Sequence, residues 1–204
     1  MLGRIVAFFW DRFFAHHFVA DLRRLHDTLA DTEFSGHYWV WAGMLLGYAR
    51  EGNLLAHDRD ADFALLPQDI PRLLAAVPNL RRAGFKPFQQ FRNYKGELTE
   101  FTFRSHRAKF EFFVFSPIDD KLRYTVYGYP PDNLVEIDAE IPNQDLVHFD
   151  FLGRSWLKHA DHEQELKAMY GNWRIPQKNW DYLRDDCAVV DKRPWANTDI
   201  LWPD

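Results

Sequence analysis

The most informative stretch of this chain is residues 39–66, which read WVWAGMLLGYAREGNLLAHDRDADFALL. A short apolar run reaches a glycine, a segment with helical spacing follows, and Asp60 and Asp62 then open a new apolar run. Alternate side chains of a β-strand point to the same face, so a strand over residues 60–66 would project both carboxylates together. Two like charges held this close repel each other unless a cation lies between them. Carboxylate oxygens suit Mg²⁺, which takes one or two of them and completes its shell with water and substrate phosphates.

A third carboxylate, Glu111, interrupts the apolar run KFEFFVF at residues 109–115. Two explanations are open: an ion pair with Lys109 or an arginine, or a place beside Asp60 and Asp62 in the sheet. In phosphoryl chemistry such a group can complete a metal site or act as a general base. Glu100, in the preceding strand, is the competitor, and we prefer Glu111 because its neighbours are more uniformly apolar.

Gly43 is the expected phosphate-binding half of the site. A glycine after a strand lets backbone N–H groups approach a phosphate, and the following helix directs its N-terminus toward it. Arg50, at the end of that helix, could hold a second phosphate oxygen. The alternative is a structural turn followed by a solvated acidic loop. In that loop Asp58 is either an additional carboxylate of the site or a solvated partner of Arg59, and His57 is interpreted as a loop residue.

The composition limits the class of protein. The chain has 204 residues, 47% hydrophobic and 27% charged, as expected for one compact domain. Its net charge of −5 and lack of a long basic block argue against bulk nucleic-acid binding. Cys187 is the one cysteine, so an intrachain disulfide is excluded and a reducing compartment fits. We interpret Cys187 as a residue without a catalytic role.

The N-terminal segment, residues 1–30, is predicted to be an amphipathic helix, either continuous or broken near His16 and His17. It packs on the domain in one interpretation, and contacts a membrane surface or a protein partner in the other. No apolar stretch reaches the roughly 20 residues that a membrane span requires. We therefore expect a cytoplasmic protein, either free or peripheral to a membrane.

The remaining patterns predict an α+β fold with one mixed sheet flanked by helices. We expect a core over residues 36–176 and an irregular tail over residues 177–204, within a single domain. Expected strands lie near residues 38–41, 60–66, 85–91, 98–104, 109–115, 124–127, 147–151 and 155–157; expected helices cover residues 44–50, 70–82 and 163–170.

Two motifs resemble the LicD/fukutin family. Residues 42–62, AGMLLGYAREGNLLAHDRDAD, are similar to its signature of Gly-Thr-Leu-Leu-Gly-x-x-Arg followed by Asp-x-Asp-hydrophobic-Asp. Residues 162–176, HEQELKAMYGNWRIP, look like its helix ending in Tyr-Gly-Asp-x-x-x-Pro. Met44 stands where the family usually has Thr or Ser, Ala56-His57 replaces Pro-Trp, and Asn172 replaces Asp.

The resemblance implies a nucleotidyltransferase-like fold, similar to the palm-like core of polymerase beta. It implies transfer of phosphocholine or an alditol phosphate from a CDP-linked donor to a sugar hydroxyl of a glycan. Asp60, Asp62 and Glu111 would bind Mg²⁺ or Mn²⁺, with Asp58 or Glu111 as general base. Gly43, Met44 (through its backbone) and Arg50 would lie near the donor phosphates.

Two other functions stay open: transfer of a nucleoside monophosphate from an NTP to a small molecule, protein or RNA, and a catalytically inactive binding module. Exposed tryptophans, with Trp156, Trp173 and Trp180 as candidates, could form a platform for the sugar acceptor, or could simply pack in the core.

Overall fold

The chain forms an α+β fold in a computed structural model, which describes residues 17–56, 58–106, 108–128, 134–195 and 200–201. Its helices are α1 (17–30), α2 (Ala42–Glu51), α3 (Ile70–Arg82), α4 (His162–Tyr170) and α5 (Tyr182–Asp185). Its strands are β1 (Trp39–Val40), β2 (Asp60–Leu65), β3 (Lys86–Arg92), β4 (Leu98–Arg104), β5 (Lys109–Val114), β6 (Ser116–Ile118), β7 (Lys121–Gly128), β8 (Val135–Pro142), β9 (Leu146–Phe151), β10 (Arg154–His159), β11 (Val189–Pro194) and β12 (Ile200–Leu201).

The central sheet has six strands in the order β1-β2-β5-β4-β3-β12. Strands β2 and β5 run parallel, and the other pairs are antiparallel, so the sheet is mixed. The predicted hairpin of β4 and β5 is present. The register of β2 on β5 places Asp62 opposite Glu111. The mixed sheet flanked by helices is therefore confirmed.

One face of the central sheet is covered by helices. Every second side chain of β2 and β5 points to this face. Among them, Phe63 and Phe112 stack with ring centroids 5.0 Å apart. Helix α1 buries Phe18, Leu22 and Leu25 against it, at the spacing of one helical face. This main core is apolar throughout, which forces the polar residues of β2 and β5 to the opposite face.

The opposite face packs against a second sheet of four strands, in the order β11-β8-β7-β6. Trp41 is central to this second core, with ring centroids 4.8 Å from both Phe113 and Tyr124. The two sheets thus enclose a smaller apolar layer. The acidic side chains of β2 and β5 open into a space beside it.

Three expectations from the sequence require correction. Within the described residues there are three sheets rather than one, since the four-stranded sheet and the pair β9–β10 are separate from the central sheet. The tail is not irregular: α5 and β11 lie within residues 177–204, and β11 pairs with β8. Strand β8 was not predicted at all. Hydrogen bonds between distant segments order this region, and local sequence does not reveal such bonds.

The predicted N-terminal helix is present over residues 17–30, and its first part, including His16, lies outside the described residues. Within the described part of the chain, none of the helices combines the length and apolar character needed to cross a membrane.

Candidate active site

Two neighbouring strands bring the acidic residues together. In the parallel register of β2 and β5, Asp60 lies opposite Lys109 and Asp62 opposite Glu111. These four side chains line one cavity of about 410 Å³, together with Glu100 from β4. A cavity of this size is in the usual range for small-molecule sites. The predicted pair Asp60/Asp62 and the distant Glu111 therefore face the same space.

The cavity lies between the central sheet, the start of helix α2 and the segment after α4. Helix α2 contributes Gly43 and Arg50, from the first sequence motif. The second motif contributes Asn172, Trp173 and Ile175. Two stretches that are far apart in the sequence thus line one site. The other lining residues are Trp41, Ala42, Leu46, Leu55, Phe113, Tyr124, Val126, Tyr127, Met169, Tyr170, Gln177, Trp180, Tyr182 and Asp186.

The carboxylates perturb one another strongly. Burial, together with the negative charges of Glu111 and Asp60, raises the pKa of Asp62 well above its usual value. Burial and the charge of Glu111 likewise raise the pKa of Glu100. Each of these groups is thus costly to keep ionised when no cation is present. A divalent cation would remove that cost, which is the electrostatic condition that a metal site requires.

Lys109 partly neutralises the cluster. Its Nζ lies 2.8 Å from Glu111 Oε2. Burial disfavours its charged form, but Glu111, Asp60 and Glu100 outweigh that effect and raise its pKa. Both explanations considered for Glu111, an ion pair and a place beside Asp62, therefore hold. Glu100 is not an alternative to Glu111, because both line the same cavity and the charge of Glu111 helps to raise the pKa of Glu100.

Asp58 lies against the start of helix α2. A Cβ atom added to Gly43 would meet Asp58 Oδ2 at 2.7 Å, so the absence of a side chain at Gly43 is what lets this carboxylate approach. Oδ2 is buried and has no hydrogen-bond partner. Burial, a hydrogen bond to Asp60 and the Asp60 charge raise the pKa of Asp58 to about 8. Asp58 thus belongs to the acidic cluster rather than to a solvated loop.

The start of helix α2 is strained and uncapped. Ala42 has φ 47°, in the left-handed region that a residue with a side chain rarely adopts. Trp41, at the N-cap, makes no side-chain hydrogen bond to the helix. The first backbone N–H groups of a helix need such a partner or a ligand. Strain of this kind collects at functional sites, where it is kept because the geometry is used.

Several polar atoms around the cavity have no partner. Arg50 Nε is buried without a hydrogen-bond acceptor, and the same is true of Trp41 Nε1 and Trp180 Nε1. Trp41 itself is only 3% exposed. Unpaired buried donors are uncommon in native proteins and point to an absent water or ligand. The cavity therefore has unpaired hydrogen-bond donors in addition to its carboxylates.

Some predicted residues lie elsewhere. The Met44 side chain is fully buried in the main core and does not reach the cavity, so only its backbone is available to a phosphate. Trp156 is also a core residue: it stacks on Phe63 at 5.7 Å and its Nε1 donates to the carbonyl of Phe151. Trp173 and Trp180 do line the cavity. A platform including Trp156 is thus ruled out by its position.

Sequence reasoning missed other residues of the site. Tyr124, Tyr170 and Asp186 line the cavity. The hydroxyl of Tyr124 donates to Asp186 Oδ2 at 2.9 Å. Burial and the charge of Asp62 raise the pKa of Tyr170, which places this ring next to the acids. The motif Tyr170-Gly171-Asn172 was the available signal, but nothing in the local pattern pointed to Tyr124 or Asp186.

Comparison with known proteins places the chain in a family. A protein-family model described as LicD/FKTN/FKRP, nucleotidyltransferase domain, matches residues 36–155. The chain belongs to the LicD/FKTN/FKRP family. The matched range covers β2, β5 and helix α2, and so the acidic cluster of this LicD-family chain. The search of curated proteins gives no match.

The second motif of the LicD-family chain falls outside residues 36–155, yet its residues complete the cavity. The resemblance inferred from residues 42–62 is confirmed by the family match.

The donor set of the site fits a hard divalent cation. All of the candidate ligands are carboxylate oxygens, which suit Mg²⁺ and Mn²⁺, and Asp58 Oδ2 has no partner. Within the described residues, no three acidic, histidine or cysteine side chains already surround one point as metal ligands. Asp60, Asp62 and Glu111 share a face and a cavity, so rotation about their side-chain bonds is the change that binding would require.

Proposed function

We propose that this chain is a metal-dependent phosphotransferase, moving a phosphocholine- or alditol-phosphate-type group from a CDP-linked donor to a sugar hydroxyl of a glycan. Membership of the LicD/FKTN/FKRP family indicates a transferase that modifies glycans. The observation that carries the proposal is the single cavity in which both sequence motifs meet five acidic side chains, Arg50 and unpaired indole donors.

Asp60, Asp62 and Glu111 are the proposed ligands of Mg²⁺ or Mn²⁺. Such a cation would offset the negative charge on the donor diphosphate and on the leaving CMP. The three carboxylates come from two adjacent strands, whose hydrogen bonds fix the spacing of their backbones. This rigid support suits a site that must keep its geometry during a reaction.

The start of helix α2 and Arg50 would orient the donor phosphates. The uncapped amides near Gly43 are hydrogen-bond donors, and the helix dipole favours an anion at this end. Arg50 Nε, buried and unpaired, offers a charged donor on the same wall. The missing hydroxyl at Met44 does not affect these backbone groups.

Asp58 or Glu111 would accept the proton from the attacking hydroxyl. A general base works best when its pKa lies near the working pH. The pKa of Asp58, raised to about 8 by burial and by Asp60, meets that condition. Glu111 is the alternative, because it lines the cavity from β5.

The aromatic residues Tyr170, Trp173 and Trp180, which line the cavity, are proposed to hold the sugar acceptor. Trp180 packs against Tyr170 with ring centroids 4.7 Å apart, and both line the cavity with Trp173. Aromatic rings pack on the apolar faces of sugars and leave the hydroxyl groups free to hydrogen bond. Trp180 Nε1 is an unused donor for such a hydroxyl.

The test is transfer assayed with a panel of CDP-linked donors, sugar acceptors and Mg²⁺. The wild type should release CMP, and Asp62→Asn should lower the rate by about a hundred- to a thousandfold, because removal of a group that stabilises transition-state charge costs about 10²–10³ in rate. Asp150→Asn is the matched control, since Asp150 is exposed on β9. Release of pyrophosphate from NTPs would instead support nucleotidyl transfer. Full activity of Asp62→Asn would refute the mechanism.

A further inference from the structure

Lys109 lines the cavity and forms an ion pair with one carboxylate of the acidic cluster. Its Nζ contacts Glu111 Oε2 at 2.8 Å. Along β5 the two residues are separated by one position, so both side chains lie on the same face of the sheet. The Lys109 side chain is 38% exposed, whereas that of Glu111 is 10% exposed. Lys109 is therefore the more accessible member of this ion pair.

The charges around Lys109 come from three strands. Asp60 of β2 lies opposite it in the parallel register, and Glu111 and Glu100 act on it from β5 and β4. Lys109 in turn lowers the cost of ionising Asp62 and Glu100. It thus supplies positive charge where the chemistry of the site requires a cation.

The ion pair occupies one oxygen of Glu111, because Lys109 Nζ contacts Glu111 Oε2. Among the residues that the structure describes, no three metal-ligating side chains are gathered at one point. A cation that bound Glu111 would have to displace the Lys109 ammonium.

We propose that Lys109 is a positioning residue that competes with the divalent cation for Glu111 and, once displaced, contacts the donor diphosphate. The inference rests on the proposed function and adds a residue that neither motif contains. In the metal-free chain Lys109 neutralises the acids. In the loaded chain its freed ammonium faces the cavity, where a phosphate oxygen is the complementary partner.

The proposal predicts effects of opposite sign on two ligands. Removal of the Lys109 charge removes a competitor, so the cation should bind more tightly. It also removes a phosphate contact, so the nucleotide should bind more weakly. A lysine that only supports the fold would weaken both, and a lysine without a role would change neither.

The experiment is calorimetric titration of Lys109→Met with Mn²⁺ alone, and then with CDP at saturating Mn²⁺. We expect Mn²⁺ affinity to rise by at least about fivefold, the lower end of typical coupling between sites. We expect CDP affinity to fall by about tenfold, as for the loss of one charged contact. Melting curves without ligand establish that each variant is folded.

Two further variants serve as controls. Lys121→Met removes a comparable ion pair, in which Nζ lies 3.1 Å from Glu140 Oε2 in the four-stranded sheet, away from the cavity. It should leave both affinities unchanged. Lys109→Arg keeps the charge and should restore CDP binding to within about threefold of the wild type, since only the geometry of the donor differs.

Each outcome decides the question. Tighter Mn²⁺ binding with weaker CDP binding supports the proposal. Weaker Mn²⁺ binding in Lys109→Met, an unchanged CDP affinity, or unchanged values for both ligands would overturn it while leaving the proposed function intact. A wild type that binds neither Mn²⁺ nor CDP would overturn the proposed function and this inference with it.

Discussion

At the scale of single residues, Asp62 shows how one carboxylate affects both stability and chemistry. It lies in register with Glu111 and shares the cavity with Asp60. Burial and these neighbours raise its pKa, so its ionised form is less favourable in the folded chain than in the unfolded one. The metal-free protein therefore becomes less stable as pH rises above the ordinary pKa of an aspartate.

We predict that Asp62→Asn stabilises the metal-free protein at pH 7.5, because burial, Glu111 and Asp60 disfavour the ionised carboxylate in the folded chain. The gain should shrink as pH falls toward the ordinary pKa of an aspartate, because the carboxyl is then increasingly protonated in the unfolded state as well. Denaturant unfolding at pH 4.5 and 7.5, in EDTA, measures the difference. Asp150→Asn, at an exposed position, should show no such pH dependence.

Residue identity predicted only part of the site. Asp60, Asp62 and Glu111 were predicted because a charged residue inside an apolar run requires a partner or a function. Glu100 was set aside as a competitor, yet it adjoins Glu111. The pairing of β4 with β5 decides this, and one sequence does not give the register of a pair. Trp156 and Trp173 looked alike in sequence, but only Trp173 reaches the cavity.

At the scale of elements, helix α2 depends on two glycines with different surroundings. A Cβ on Gly47 would lie 2.5 Å from the backbone oxygen of Asn53, in the chain that leaves the helix. A Cβ on Gly43 would instead meet the side chain of Asp58 at 2.7 Å. Backbone cannot move as readily as a carboxylate, so the two positions differ in what they tolerate.

We predict that Gly47→Ala destabilises the protein by about 2–3 kcal/mol, whereas Gly43→Ala costs at most about 1 kcal/mol, because overpacking is felt most where nothing can yield. Gly43→Ala should nevertheless lose nucleotide binding, since it displaces Asp58 and narrows the anion end of the cavity. Chemical denaturation and CDP titration of both variants measure these effects. Equal stability losses would contradict this account of α2.

Strands with clear local patterns were predicted, and strands held by distant charges were not. β4 and β5 are rich in aromatic residues and joined by a short turn, so they appear in the sequence as a hairpin. β8 alternates Glu136, Asp138 and Glu140 with apolar residues, and acidic residues disfavour strands. Arg193 of β11 compensates, with contacts of 2.6 Å to Glu136 and 2.7 Å to Asp138. Arg193 is remote in sequence from Glu136 and Asp138, so the local pattern did not predict β8 or β11.

At the scale of the whole molecule, the cavity is lined by residues of both larger sheets and of several helices. Tyr182 of α5 donates to the carbonyl of Tyr127 in β7 at 2.7 Å, and both line the cavity. Helix α2, the central sheet and the segment after α4 form the other walls. A ligand in this space would contact both larger sheets and helices α2, α4 and α5, so it should stabilise these elements together.

We predict that Mg²⁺ or Mn²⁺ at a hundredfold excess over its dissociation constant raises the melting temperature by roughly 5–10 °C. This follows from about 2.7 kcal/mol of binding free energy and a shift of about 2–4 °C per kcal/mol for a chain of this size. Differential scanning calorimetry with and without EDTA is the measurement. Asp62→Asn should lose this response, and Ca²⁺ serves as a comparison for specificity. An identical shift in Asp62→Asn would exclude binding at this cluster.

The parallel pairing of β2 with β5 has a consequence for how the protein folds. Asp62 and Glu111 are neighbours in the sheet although α3, β3 and β4 lie between them in the sequence. Contacts with such a large sequence separation form late, because the entropy of closing a long loop must first be overcome. A nascent or damaged chain would therefore show no affinity for the ion even with every acidic residue present. Capture of the ion would thus act as a readout of complete assembly, distinguishing finished molecules from partly folded ones.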